Sequence, residues 1–267
     1  LTIFDRIYDL ENVLVNNKAH QLQPKGIKIN YLKKVYKITY KTYLNERLKQ
    51  VDFHGQLTHP LYVQVTFERK TIFFKSYYFE LFSKPRYFLI VPGAGSKGPS
   101  LAQVIEKENE VVNFILDKFK DDFSLEKFKT AYAYYSKDLC DITEKGFIDY
   151  LYTYFWDKGS PYIGDLIKWG GSHVVAYDLL KDFKRTFNKA LYDELVENSF
   201  YYAPPYLPIY GYMQQTKRWP MLILPVHEWS RPETQSAFRE YVGVYYKEMN
   251  TEELMTKVNR WPDYLKM

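Results

Sequence analysis

Between His59 and Val91 the sequence HPLYVQVTFERKTIFFKSYYFELFSKPRYFLIV carries the two-residue period of a β-strand, and that period sets what this part of the chain can become. Leu61, Val63, Val65 and Phe67 alternate with Tyr62, Gln64, Thr66 and Glu68, so every second side chain falls on one apolar face. Glu68-Arg69-Lys70 reads as a short polar turn and Thr71 to Ser76 resumes the pattern, which predicts a small antiparallel sheet with one buried side. From Lys18 to Val91 there are 14 Lys or Arg against 4 Asp or Glu, a local net of +10 in a chain whose total is +5. A cationic sheet suits a polyanion or an acidic protein surface better than it suits chemistry.

Upstream, Ile3, Ile7, Leu10 and Leu14 are spaced like one face of a short helix. From Pro24 to Gln50, Ile27, Ile29, Tyr31 and Val35 fit a strand, while Leu32, Val35, Tyr36, Thr39 and Tyr40 also suit a helix; β-branched and aromatic content favours the strand. PGAGSKGPS then reads as a loop. From Ser100 the period becomes helical. Ser100 and Gln103 form a capping-box pattern, and Phe123, Ser124 and Phe128 have the arrangement of a hydrophobic staple around an N-cap. Thr143 is the expected cap of a third helix. After Gly170-Gly171, Ser172 is placed to cap one long helix whose face is Val175, Leu179, Phe183, Phe187, Leu191 and Leu195.

Six of the 13 prolines fall between Ser199 and Pro232, which predicts an extended wrapping arm, followed by closing helices over 233–247 and after Asn250. The expected class is α+β: a basic β-rich unit at 1–92, a loop at 93–99, a helical domain at 100–198, and a Pro- and aromatic-rich arm with terminal helices at 199–267.

Aromatics make up 19% of the chain, with 27 Tyr and 18 Phe. Such an excess suits large, partly wet contact surfaces, and a homo-oligomer or larger assembly is its natural outlet; an AT-rich genome produces the same bias without selection for binding. One cysteine, Cys140, excludes an internal disulfide and a thiolate metal cluster. No apolar run reaches the roughly 18 residues of a membrane span, and the opening LTIFDRIYDLENVLVNN lacks a signal-peptide layout, so the expectation is a soluble chain.

The chemistry-bearing motifs are sparse. Gly93 to Gly98 satisfies G-x-G-x-x-G, but no strand ending in an acid follows about twenty residues on, and Pro99-Ser100 stands where a phosphate loop needs Lys-Ser/Thr. His54 and His59 lack Cys or carboxylate companions, and neither G-x-S-x-G nor H-E-x-x-H occurs. The residues therefore nominate no catalytic site, metal site, cofactor or small-molecule substrate. Lys181, Lys184, Arg185 and Lys189 fit a solvated helix face or phosphate contacts. Trp219, Trp229 and Trp261 fit interface anchors or plugs of a local core.

The succession HPLYVQVTFERKTIFFKS, a third strand, a loop, a helix LAQVIEKENEVVNFILDKF and then FSLEKFK resembles the amino-terminal portion of tyrosine recombinases of Bacteroidetes-type mobile elements, over roughly residues 55 to 200. The resemblance implies an arm-type DNA-binding sheet ahead of a helical core-binding domain, with Arg69, Lys70 and Lys75 on a face that meets double-stranded DNA. The same three cations also fit a guard against strand-to-strand aggregation. No His has Arg three residues later, and about seventy residues after the long helix are too few for the family's catalytic domain. The expectation is a non-enzymatic structural or assembly protein of a phage or related mobile element, sited in the virion or host cytoplasm. The alternative is an integrase-like accessory DNA-binding protein without recombinase activity.

Overall fold

The computed structural model describes residues 37–91, 95–170, 174–217 and 219–264. The helix expected over 1–14, the strand positions Ile27 to Val35, and Ser172 lie outside them. The expected α+β class holds: an early antiparallel sheet precedes a chain that is mostly helical.

Strand β1 (Thr39–Leu44) precedes a small hairpin of β2 (Val51–Phe53) and β3 (Gln56–Thr58). Strands β4 (Leu61–Phe67) and β5 (Lys70–Lys75) form the hairpin read from the sequence. Its turn is tighter than expected, because Lys70 pairs with Phe67 and only Glu68 and Arg69 remain. Both have positive φ, 49° and 63°, the two-residue turn whose twist matches that of the strands. The sheet order is β1-β4-β5, so its third strand comes from upstream. The recombinase resemblance implied a third strand after Ser76. There the chain forms helix α1 (Tyr77–Phe82) instead, because Ser76 caps it and Tyr78, Phe79, Leu81 and Phe82 all bury.

A 3₁₀ turn at Pro85–Tyr87 leads into β6 (Leu89–Val91), which pairs with β7 (Gly95–Lys97). The stretch read as a loop thus contains a strand. Helix α2 (Leu101–Lys118) starts at the predicted Ser100/Gln103 capping box, and α3 (Leu125–Tyr135) starts at Ser124. Both pack on the inner face of the three-stranded sheet. Tyr40 donates to Asn113 Oδ1 at 2.8 Å, Thr42 donates to Asn109 Oδ1 at 2.8 Å, and the Phe74 and Tyr132 rings lie 4.3 Å apart. Sheet, α1, α2 and α3 share one hydrophobic core.

A second core is wholly helical. Helix α4 (Leu139–Asp157) begins four residues before the predicted cap Thr143: Asp138 accepts from the Cys140 and Asp141 amides, and the Thr143 hydroxyl donates to Leu139 O inside the helix. Helix α5 (Pro161–Gly170) follows. The single long helix expected after Ser172 is two, α6 (Ala176–Thr186) and α7 (Lys189–Tyr202). Asn188 breaks it by capping α7, its side chain accepting from Leu191 N at 2.9 Å. The four-residue spacing survives the break because Phe183 and Phe187 stack at 4.7 Å and both meet Phe155.

The region from 199 onward is not an extended arm. It forms α8 (Tyr206–Thr216), α9 (Val226–Trp229), α10 (Pro232–Tyr245) and α11 (Thr251–Tyr264), folded into the second core. The prolines are compatible with this because Pro205, Pro225 and Pro232 stand at helix starts and Pro208 lies in a first turn, where the missing amide has no partner to lose. The closing helices agree with the expectation, Asn250 accepting from the Glu252 and Glu253 amides.

Between α8 and α9 the chain joins the two cores. Leu139 N donates to Leu224 O at 3.0 Å, Val226 N donates to Lys137 O at 2.8 Å, and Asp138 Oδ1 accepts from Leu224 N at 2.7 Å. Ile223 belongs to the first core and Leu224 to the second. The cores therefore divide at 136–138, and α2 and α3 belong with the sheet rather than with the helices after them.

Candidate interaction surfaces

The buried polar groups come first, since a reaction centre would draw on them. Glu108 of α2 is fully buried, accepts from Tyr132 OH at 2.5 Å and from Ser76 Oγ, and has its pKa pushed up to about 7 by desolvation, against the pull of those hydrogen bonds. Asp138 is likewise raised to about 7 by burial while it caps α4. Glu144 Oε1 accepts from Ala176 N at 2.8 Å and Tyr206 OH at 3.0 Å, and Oε2 pairs with Arg86 across the junction of the two cores. His227 Nδ1 donates to Tyr135 O at 3.3 Å, and burial lowers its pKa to about 3, so it is neutral.

Each of these groups ties one element to another. Arg86, Cys140, Tyr210, Gln214 and Trp219 line a cleft of about 280 Å3. Gln214 donates to Tyr210 OH at 3.4 Å and Cys140 contacts Met213 Sδ at 3.5 Å, while the buried Arg86 Nε has no hydrogen-bond partner among the described residues. Burial pushes the Cys140 thiol up, away from the reactive thiolate. Among the described residues no cluster of three or more His, Cys, Asp or Glu is arranged to hold a metal ion, and no helix is long and apolar enough to cross a membrane.

The exterior is less ordinary. Helix α4 ends at Gly159, whose φ of +73° turns the chain back, and Pro161 opens α5 against α4. The two helices approach closely at Gly164, where a Cβ would stand 2.9 Å from Tyr152 O. Gly164 and Ile167 face inward. Tyr162, Leu166 and Trp169 are consequently turned outward, 82%, 74% and 76% exposed. Lys168 lies 3.3 Å from Asp149 and over the Tyr152 ring, so the charges around this apolar face include both signs. Large side chains exposed in a contiguous stripe mark contact surfaces.

The outer face of the sheet is the second such surface. Register places Thr39, Thr66 and Thr71 in one row, Lys41, Gln64 and Phe73 in the next, and Tyr43, Tyr62 and Lys75 in the third. Phe73 is 58% exposed, Lys41 lies over the Tyr43 ring at 5.7 Å, and none of these nine residues is acidic.

The predicted contact cations are not brought together. Arg69 sits at the hairpin tip beside Lys70, while Lys75 is at the far end of β5, pairing with Glu80 at 2.6 Å. Lys70 and Lys75 are five residues apart on one strand and point to opposite faces. Lys181, Arg185 and Lys189 pair with Asp178, Asp182 and Asp193 along their helices, as on a solvated face.

Of the predicted tryptophan anchors, Trp229 is a correction: it is 3% exposed, packs edge-on against Phe238 at 5.2 Å, and donates to Asn259 at 2.9 Å. Trp261 is half-buried beside Gly146, and Trp219 is partly exposed at the cleft. Sequence reasoning missed the α5 face, although Tyr162, Leu166 and Trp169 already stood at helical spacing.

Comparison with protein-family models finds no matching family, and comparison with curated proteins and with solved structures finds no match.

Proposed function

We propose that this protein is a non-catalytic assembly protein that associates with a second copy of itself through the outward face of α5. The observation that carries the reading is the exposure of Tyr162, Leu166 and Trp169 on one helix face. Their spacing is nearly symmetric about Leu166. Two α5 helices packed antiparallel across a two-fold axis near Leu166 set Tyr162 of each copy against Trp169 of the other, the self-complementary arrangement a dimer requires. The mixed charges around the face favour a like partner over a strongly charged one.

These side chains offer roughly 500 Å2 per copy, the core of a small interface with micromolar association. The buried carboxylates and Arg86 support a non-catalytic role because each is engaged in holding the fold together. The phage or mobile-element setting, in the virion or host cytoplasm, belongs to the same proposal and is supported by the sequence resemblance alone.

Sedimentation equilibrium from 1 to 100 μM tests it, a range set by that micromolar expectation. The expected result is a concentration-dependent dimer mass that Leu166→Asp weakens about 100-fold or more, with an unchanged far-ultraviolet spectrum because Leu166 is exposed. A monomer mass across the range, or no response to Leu166→Asp, overturns the reading. A second reading, an integrase-like accessory DNA-binding protein without recombinase activity, is favoured by the cationic sheet face.

A further inference from the structure

We infer that the outer face of the β1-β4-β5 sheet is a binding platform for single-stranded nucleic acid. The inference deepens the second reading above by naming the form of nucleic acid, and it is independent of the α5 association.

The argument starts from register. Three rings, Tyr43, Tyr62 and Phe73, share one face of a sheet whose other face is packed against α2 and α3. Tyr43 and Tyr62 are directly opposite one another, and Phe73 lies diagonally one row away, roughly 7–8 Å from Tyr62. That spacing admits one planar base on the Tyr43/Tyr62 pair and a second on Phe73. Lys41 and Lys75 stand beside the rings in the same two rows, and Arg69 lies at the hairpin tip beyond the Thr39/Thr66/Thr71 end, while Lys70 points to the other face.

Charge complementarity selects a polyanion, since the nine outward residues include two lysines and no acid. Glu68 sits in the hairpin turn beside Arg69, and Glu80 is the carboxylate beside Lys75. It pairs with Lys75 at 2.6 Å, but both groups are about half exposed, so a phosphate competes readily for the ammonium.

The rings then decide the form. In a duplex the faces of the bases are stacked on one another and unavailable, and only phosphates and groove edges meet the protein. A solvent-exposed phenylalanine on the edge strand of a cationic face gains nothing from a phosphate. It gains from an unstacked base, which only a single strand presents. Gln64, between Lys41 and Phe73, supplies an amide able to meet a base edge without selecting one base strongly.

Fluorescence anisotropy with the full chain and labelled 12-residue oligonucleotides tests this, using oligo-dT, oligo-U and a 12-base-pair duplex as separate arms. The expected result is tighter binding of oligo-dT or oligo-U than of the duplex; which of the two binds better tells DNA from RNA as the source. Phe73→Ala should weaken single-strand binding about 5- to 100-fold, the range for loss of one stacked base. Lys41→Gln should weaken it less and lower its salt dependence. Because Phe73 is exposed, circular dichroism and the association mass are expected to be unchanged in Phe73→Ala.

Duplex binding with weaker single-strand binding overturns the inference and leaves the accessory DNA-binding reading standing. Absence of binding in all three arms overturns both. Single-strand binding that Phe73→Ala leaves unchanged also overturns it, because the rings then play no part.

Discussion

The α5 face and the outer sheet face both expose large rings, yet their surroundings differ in a way that separates their partners. Around Tyr162, Leu166 and Trp169 the charges carry both signs, whereas the charged residues in the rows of Tyr43, Tyr62 and Phe73 are Lys41 and Lys75, with Glu80 paired to Lys75 from outside the face. The spacing differs too. On α5 the large side chains repeat at four and three residues and form a ridge, the shape that packs against another helix. On the sheet they form rows on a flat surface, the shape that accepts planar groups. Exposed aromatics alone would have suggested one stickiness for the whole molecule; geometry and charge together assign one face to a second copy and the other to a polyanion.

The largest expected effect tests whether the two faces belong to one cooperative body. Arg86 comes from the sheet side and Glu144 from the helical side, and their pair is buried. Arg86→Ala leaves the Glu144 carboxylate without its cation and should cost about 3–5 kcal/mol. Urea unfolding followed by two probes is expected to show separate transitions for the two cores in this variant and one transition in the wild type. Coincident transitions at wild-type stability would mean that the pair does not join them.

Next in size is a pH effect on the sheet side. Glu108 beneath the sheet and Asp138 at the junction both titrate near 7 when folded, well above an ordinary carboxyl. Folding is thus favoured by their protons below about pH 4.5, and that advantage is lost as pH rises to about 7. His227, neutral down to about pH 3 when folded, acts in the opposite sense between about 3 and 6.5. Glu108→Gln removes one of the two falling contributions. Between pH 5 and 7.5 its stability should decline by a few kcal/mol less than that of the wild type, measured by urea titration at both values. Equal declines would show that Glu108 does not hold its proton.

A smaller effect sharpens the contrast between the surfaces directly. Raising salt from 50 to 200 mM should weaken oligonucleotide binding roughly tenfold, for about three phosphate contacts, and leave self-association nearly unchanged. Parallel losses in both would place electrostatics at the α5 face as well. Of similar size, Gly164→Ala sets a methyl 2.9 Å from Tyr152 O and should shift α5 on α4, at a cost of about 1–3 kcal/mol. Dimerisation should fall in step, since the stripe is displaced with its helix.

Much of the fold was legible because local signals and packing agree. The β4-β5 hairpin follows from alternation, α2 from its capping box, and α3 from Ser124 with its flanking phenylalanines. The failures have separate causes. Asn188 interrupts a hydrophobic repeat that continues across it, so periodicity alone reads one helix where there are two. The prolines after Ser199 signal missing amides, but most fall where a helix needs none. Helix α1 was hidden because YYFELF is apolar at every position but Glu80 and favours neither period. As for the surfaces, the cationic sheet was visible in composition, while the cations that share its face depend on a register set partly by the upstream strand β1. The α5 stripe had the right spacing, yet only the fold shows which side of that helix α4 covers.

The most direct test of the central claim is oxidative cross-linking of Leu166→Cys. Cys140 is buried, so the introduced thiol is the accessible one. An isologous α5 contact puts residue 166 of one copy close to residue 166 of the other, and the account predicts a covalent dimer that forms much faster than with Glu197→Cys, an exposed control on α7. If Leu166→Cys remains monomeric on oxidation, or links no faster than the control, the α5 face does not join two copies.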